Sequence, residues 1–133
     1  MEPPSAGPIT AAVEVLGDRW TLLVLRDVIF ADRRYFRALL TGSAEGIASN
    51  ILADRLKRLL DAGLLTRGTA ARGQRARFDL TEAGIRTLPI LSALGDWGLE
   101  FRPGSAAEHD PWRGPARVDE LMDDLRARHL GAV

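Results

Sequence analysis

One amphipathic segment, residues 48–62, constrains the fold of this chain more than any other. At helical spacing, one face of this segment collects the apolar side chains Ala48, Leu52, Leu56, Leu59 and Leu60. The opposite face collects Asn50, Ile51, Asp54, Lys57 and Arg58. Gly63 follows, and glycine suits the left-handed backbone that commonly ends a helix. A helix of this kind packs on a core with one side and presents polar side chains with the other.

Short elements surround this helix in a defined order. A short apolar helix is predicted over residues 35–40, and the turn at 41–46 is rich in residues that tolerate unusual backbone angles. After the long helix, β-like runs at 64–67 and 77–80 flank a basic, glycine-containing tip at 68–76. Helix, turn, helix and hairpin in this order predict a winged helix-turn-helix, in which the long helix is the recognition helix and the tip is the wing.

Further helices are predicted on the N-terminal side of this motif. Residues 1–8 carry three prolines and are interpreted as a flexible arm. Residues 9–16 form a short helix that breaks at Gly17. Residues 19–30 form a second, largely apolar helix, for which Asp18 is the expected N-cap. This second helix is expected to be the central, buried helix of the domain.

The C-terminal side is also predicted to be helical. Thr81 caps a helix over residues 82–101, in which Pro89 marks either a kink or a later start. Residues 102–115 are interpreted as a connector, and residues 116–133 as a C-terminal amphipathic helix. The prediction is therefore a mainly α fold with a small β-hairpin. The winged domain spans 9–101, with further helices at its flanks.

Charge is segregated along the chain, although the formal net charge is zero. Residues 19–86 hold thirteen Lys and Arg against seven Asp and Glu, whereas 1–18 and 87–133 each sum to −3. One basic face on a neutral protein is the electrostatic footprint of phosphate binding. Double-stranded DNA is therefore the predicted partner.

Composition argues against several other classes of protein. With 133 residues, of which 46% are apolar, the chain can build one compact domain. It has no apolar run long enough for a bilayer and no basic secretion signal, which predicts a cytoplasmic protein without a membrane partner. The absence of cysteine excludes disulfides, thiolate metal sites and thiol sensing.

Residues suited to catalysis are sparse. Glu108, His109 and Asp110 are adjacent in a proline-rich loop and cannot by themselves complete a metal coordination shell. His129 lies on the apolar stripe of the C-terminal helix, where an interfacial histidine is the simpler interpretation. No spacing indicates a nucleophilic triad or a glycine-rich phosphate loop. The prediction is a protein that is not an enzyme and has no cofactor.

Four ordered blocks resemble the HxlR-type branch of bacterial winged helix-turn-helix transcriptional regulators. They are GDRWTLLVLR at 17–26, RYFRAL at 34–39, the run from Gly46 to Leu59 with GLL at 63–65, and FDLTEAG at 78–84. The resemblance covers about residues 7–101. It implies a homodimer on a roughly palindromic operator, with dimer contacts from the N-terminal helix and the helix after the wing. Many members carry a cysteine just before the first helix. This chain has Gly7 there, so thiol sensing is not implied.

Base contacts are predicted in the first turns of the recognition helix. Asn50, the chain's only asparagine, can pair with adenine through its amide. The alternative is that Asn50, or Ser49 beside it, caps the helix. Ile51 is a candidate for contact with a thymine methyl group. Asp54 can accept from cytosine, or pair with Arg58 one turn later.

Phosphate contacts are predicted for basic side chains on the helix and the hairpin. On the helix they are Arg55, Lys57 and Arg58, with a solvated charged face as the alternative. Near the hairpin they are Arg72, Arg75 and Arg77, which can follow the backbone or enter a minor groove. The rival function is a winged-helix protein-interaction module without DNA binding, and the basic wing argues against it.

Apolar side chains of the flanking helices are assigned to a dimer interface. They are Ile9, Val13, Leu16, Leu91, Leu94, Trp97, Leu121 and Leu125. The apolar stripe of the C-terminal helix needs a cover, and its acidic side chains would be repelled by DNA. That helix is therefore predicted to pack on the partner subunit, its own subunit being the alternative. Trp20, Phe36 and Trp97 are interpreted as core, or else as the lining of a small-molecule effector pocket at the dimer seam.

Overall fold

The structure is a computed structural model, and it describes residues 7–70, 74–103, 112 and 117–131. The helices are α1 (Pro8–Leu16), α2 (Arg19–Ala31), α3 (Phe36–Thr41), α4 (Ser49–Asp61), α5 (Glu82–Ile85), α6 (Leu88–Phe101) and α7 (Val118–His129). Strands β1 (Leu65–Arg67) and β2 (Phe78–Leu80) pair antiparallel. The predicted mainly α fold with a small hairpin is confirmed. Most of the predicted arm and connector lies outside the described residues.

Helix α2 is the central helix of the core. Asp18 caps it, as predicted, because its Oδ2 accepts the N–H of Thr21 at 2.9 Å. Leu25 and Val28 are completely buried, and the other buried apolar side chains of this helix are Val24 and Ile29. Apolar residues on several sides of α2 allow α3, α4 and α6 to pack around it. The remaining elements are therefore positioned relative to one helix.

Helix α4 is one residue shorter at each end than the predicted recognition helix. Its Leu52, Leu56 and Leu59 are buried in the core, as the periodicity indicated. The helix ends at a left-handed glycine, since Gly63 has φ of +81°. The N–H of Gly63 donates to Leu60 O at 3.1 Å and the N–H of Leu64 donates to Leu59 O at 2.9 Å. These two bonds satisfy the last carbonyls of the helix and confirm the predicted stop.

The hairpin is attached to the segment that precedes α3. Leu65 pairs with Leu80 and Arg67 with Phe78, and the N–H of Gly68 donates to Arg77 O at 2.8 Å. On the other side of β2, the N–H of Phe78 donates to Arg34 O at 2.7 Å. The base of the wing therefore holds a fixed position next to the helix-turn-helix.

The helix predicted over 82–101 is two helices. Helix α5 ends at Ile85, and α6 begins at Leu88 with Pro89 in its first turn. Of the two interpretations of Pro89, the later start is correct. Proline lacks an N–H and its φ suits the first turn of a helix, so a new helix begins there at little cost. None of the helices in the described ranges is long and apolar enough to cross a bilayer.

Helix α7 packs on its own subunit, and the prediction that it packs on the partner is wrong. Leu125 is 0% exposed, and α7 contacts α5, α6 and β2 of the same chain. Arg126 Nη2 lies 2.7 Å from Glu82 Oε2, and hydrogen bonds from Arg126 and Arg86 lower the pKa of Glu82 to about 2. The apolar stripe is covered within the subunit because α5 and α6 leave a groove beside β2 that receives Leu125.

Candidate nucleic-acid interface

A buried ion pair fixes the turn between α3 and α4. Arg26 of α2 donates to both carboxylate oxygens of Glu45 in that turn, at 2.8 Å each. Its Nε also donates to Asp27 Oδ1 at 2.9 Å. Burial raises the pKa of Asp27, whereas the hydrogen bonds from Arg26 lower the pKa of Glu45. Arg26 therefore links the turn through Glu45 to the buried Asp27 of α2, and this cluster holds the turn against the core.

A second ion pair joins α4 to the start of α2. Arg55 Nε lies 2.7 Å from Asp18 Oδ2, and this hydrogen bond lowers the pKa of Asp18 to about 2. Arg55 Nη1 also donates to Asp54 Oδ2 at 2.7 Å. The guanidinium of Arg55 is therefore engaged within the subunit. The interpretation of Arg55 as a phosphate contact is corrected to that of a clasp that orients α4.

The amide of Asn50 is exposed in the first turn of α4. The N-cap residue is Ala48, and no side chain caps this helix. Neither Ser49 nor Asn50 makes a side-chain hydrogen bond to any described residue. The capping alternative is therefore not realised for either residue. The donor and the acceptor of the Asn50 amide are both available to an external partner.

The remaining predicted contacts on α4 divide into two groups. Ile51 is half-buried and packs against the core, so its assignment to the fully exposed face is wrong. Asp54 Oδ2 lies 2.9 Å from Arg58 Nε, the pairing weighed as the alternative to base contact. Lys57 Nζ lies 2.8 Å from Asp61 Oδ2. Both of these pairs are exposed, and such pairs contribute about 0–1 kcal/mol, so a phosphate can displace either carboxylate.

A concave surface with a volume of about 780 Å³ lies between α3, α4 and the hairpin. We call it the basic groove, because its lining includes Arg37, Lys57, Arg67 and Arg75. Within the described ranges, Arg37, Arg67 and Arg75 have no carboxylate partner, and Arg75 Cζ lies 4.7 Å from the centre of the Tyr35 ring. These three guanidinium groups are the cations least compensated on this side of the molecule.

Two residues of the basic groove escaped the sequence-based prediction. Arg37 follows Phe36 on the solvent side of α3, and Arg67 is exposed at the end of β1, two residues after the buried Leu65. The period of two gave no signal for Arg67, because residues 65 and 67 lie on the same face of a strand. Arg77, which was predicted, pairs with Asp79 at 3.2 Å. Arg72 lies outside the described residues.

Exposed apolar side chains lie on both α1 and α6. No residue of α1 is buried, and Ile9 is 81% exposed. On α6, the large exposed side chains include Ile90, Leu94, Trp97 and Phe101, and Trp97 is 56% exposed. We call these residues, with Val13, the apolar face. Trp97 is therefore not a core residue, whereas Trp20 and Phe36 are half-buried against the core.

Four of the residues assigned to the dimer interface contact the core of their own subunit. Leu91 is 8% exposed and Leu125 is fully buried. Leu16 and Leu121 are half-buried and pack against the core of their own subunit. The sequence pattern could not separate these positions, because an apolar stripe has the same spacing whether it faces a core or a partner. Ile90 and Phe101, which the sequence analysis did not assign, are also exposed on α6.

The candidate metal ligands Glu108, His109 and Asp110 lie outside the described residues. Among those described, no cluster of three or more His, Cys, Asp or Glu side chains is suited to a metal ion. His129 is buried, and its Nδ1 accepts the N–H of Leu80 at 2.9 Å. Burial and the nearby Arg34 lower the pKa of His129 to about 4, so the imidazole is neutral near pH 7. It joins α7 to β2 as an uncharged acceptor.

Comparison with known proteins agrees with this architecture. Residues 15–106 match the model of the HxlR-like helix-turn-helix family. The uncharacterized HTH-type transcriptional regulator Rv3095 of Mycobacterium tuberculosis is 36% identical over 93 residues, which cover 69% of this chain and 57% of that protein. The chain thus spans less than two thirds of that relative.

Solved structures share the fold. The crystal structure of PA1607, a proposed transcription factor, has a TM-score of 0.68 and 30% identity, and the match covers 77% of this chain and 72% of that one. A possible HxlR family transcriptional factor from Thermoplasma volcanium has a TM-score of 0.51 and 28% identity, with coverage of 72% and 85%. The family match includes most of the chain, from α2 to the end of α6. The chain belongs to the HxlR-like helix-turn-helix family.

Proposed function

We propose that the protein is a sequence-specific DNA-binding transcriptional regulator that acts as a homodimer on a roughly palindromic operator. Helix α4 enters the major groove, and the hairpin lies on the adjacent backbone or minor groove. One observation carries the proposal: the unpaired amide of Asn50 lies on the exposed first turn of α4, a helix that also borders the basic groove. An amide that reads a base edge and cations that hold phosphates are the two components of specific DNA binding.

The basic groove favours DNA over a protein partner. Arg37, Arg67 and Arg75 come from α3, β1 and the hairpin, and none has a carboxylate partner in the described part of the chain. Protein–protein interfaces are depleted of Lys, Asp and Glu but enriched in Arg, so the presence of arginine alone does not distinguish the two kinds of partner. Uncompensated cations beside an exposed polar helix match the regular negative charge of a duplex.

The homodimer is supported by the apolar face. A nine-residue helix is marginal in water by itself, and α1 buries none of its residues within the subunit. Ile9, Val13 and Trp97 together exceed the isolated exposed hydrophobics that are normal on a monomer. A second copy that packs α1 and α6 against the same elements would cover this face and present two copies of α4 to two half-sites.

Duplex binding should depend steeply on salt. If each protomer neutralises about three phosphates through Arg37, Arg67 and Arg75, the dimer's log K against log salt should have a slope of about −5. Fluorescence anisotropy with a fragment from upstream of the protein's own gene, at several salt concentrations, measures the slope. If the folded dimer bound no genomic fragment, the proposed DNA-binding function would be wrong and a protein-interaction function would be favoured.

Two variants should distinguish contacts to bases from contacts to phosphates. Asn50→Ala should weaken binding to the cognate operator by about 1–3 kcal/mol and leave random-sequence binding nearly unchanged, because it removes a base-edge contact. Arg75→Ala should weaken both, because every sequence offers phosphates. Competition titrations on operator and random duplexes measure the specificity ratio. If Asn50→Ala left the specificity ratio unchanged, Asn50 would not contact a base.

A further inference from the structure

A second cavity, distinct from the basic groove, lies between α2 and α6. It has a volume of about 430 Å³, within the range of small-molecule sites. Its walls are mainly apolar and include Leu22, Phe30, Leu91 and the indole of Trp112. The two helices leave this space because α6 presents Gly95 and Gly98 to it. The indole lies directly over Gly95, where an added Cβ would be 2.5 Å from Trp112 Cε2.

Three arginines line the same cavity, and they differ in how their charge is used. Arg26 is bound to Glu45 and Asp27, as described above. Arg19 and Arg102 have no carboxylate partner among the described residues. Arg19 Cζ lies 4.6 Å from the centre of the Trp20 ring, and Arg102 Cζ lies 5.9 Å from that of Trp97. Arg102 Nη1 also donates to Phe101 O at 2.8 Å, and its remaining N–H donors, like those of Arg19, are available to an anion.

We propose that this cavity binds a flat aromatic carboxylate. The ring system lies between Phe30 and the indole of Trp112, which match an aromatic surface in shape and polarisability. The carboxylate pairs with Arg19 or Arg102 at the lining. The site is built from α2 and α6 rather than from the recognition helix, so its occupancy does not require DNA binding.

Calorimetric titration of the full chain with 2-naphthoate tests the site, and 2-naphthalenemethanol serves as the neutral comparison. We expect one naphthoate per chain and at least about tenfold weaker binding of the alcohol, because the charge-assisted hydrogen bonds are lost. Gly98→Leu should abolish binding. A Cβ at Gly98 has no atom within 4 Å, so the larger side chain can enter the cavity without a clash at its base.

Variants of the two arginines test the site without relying on Gly98→Leu, which fills the cavity. Arg19→Gln and Arg102→Gln should each weaken naphthoate binding, the more important of the two by at least about tenfold. Arg86→Gln is the matched control, because Arg86 is exposed just after α5 and pairs with Glu82 outside the cavity. The Arg86→Gln variant should bind naphthoate with the same affinity as the unmodified chain. The proposal is overturned if naphthoate does not bind at millimolar concentration, if the alcohol binds equally well, or if both arginine variants bind normally.

Discussion

Trp97→Asp should convert the protein to a monomer and reduce operator affinity by about 100-fold or more. Trp97 is the largest side chain of the apolar face, and aromatic anchors dominate the energy of most interfaces. An aspartate there would be buried without a partner in the dimer, whereas in the monomer it would remain in water. Loss of the dimer also removes the effective-concentration advantage of two linked half-site contacts, which is about 10²–10⁴. Sedimentation velocity and anisotropy on the operator measure the two effects.

Leu130→Asp is the matched control for this variant. Leu130 is also a large exposed hydrophobic, but it follows α7 and is not part of the apolar face. It should leave both the dimer and the operator affinity unchanged. Thermal unfolding of the Trp97→Asp monomer should remain cooperative, because the side chain contributes little to the core of the subunit. A Trp97→Asp protein that remains a tight dimer would locate the interface elsewhere.

Leu125→Ala should lower the free energy of unfolding by about 2–5 kcal/mol, the cost of a cavity in a well-packed core. Leu125 lies on α7 and is fully buried against other elements of the same subunit. The expected loss of stability is therefore a property of the folded monomer. Urea unfolding followed by circular dichroism measures it. The measurement is best made in the Trp97→Asp background, so that subunit dissociation does not contribute.

Leu130→Ala provides the comparison for this second prediction. Leu130 is about half exposed, and truncation of an exposed side chain usually changes stability by about 0.5 kcal/mol or less. In the unmodified background, Leu125→Ala should leave the dimer dissociation constant within about twofold of normal under conditions where the subunits stay folded. If Leu125→Ala instead weakened the dimer without lowering the free energy of unfolding, α7 would lie at the interface between subunits.

Two ion pairs within the subunit would help to set the spacing of the recognition helices in the proposed dimer. Arg26 and Glu45 hold the turn of the helix-turn-helix on α2, and Arg55 and Asp18 hold α4 on the start of the same helix. Helix α2 also packs against α6, which carries most of the apolar face. In the proposed homodimer, the distance between the two copies of α4 would therefore be set by packing and ion pairs rather than by loops.

Local patterns in the sequence determined the order of elements and most of the core. The 3.6-residue periodicity of α4, the Asp18 cap, the Gly63 stop and the glycine-containing tip of the hairpin are short-range signals. Each acts within one or two helical turns, so each can be interpreted without knowledge of the rest of the chain. The same signals placed Asn50 and Arg75 on the exposed side of their elements.

Only the tertiary structure decided which surfaces meet. Arg55 and Lys57 look alike in sequence, yet Arg55 reaches Asp18, 37 residues away, while Lys57 pairs locally with Asp61. Leu125 and Leu94 are both apolar positions on amphipathic helices, yet one is buried in its own subunit and the other is exposed. Periodicity reports that a face is apolar but carries no information about what covers it. Long-range packing supplies that answer, because it depends on the shape and charge of elements that are distant along the chain.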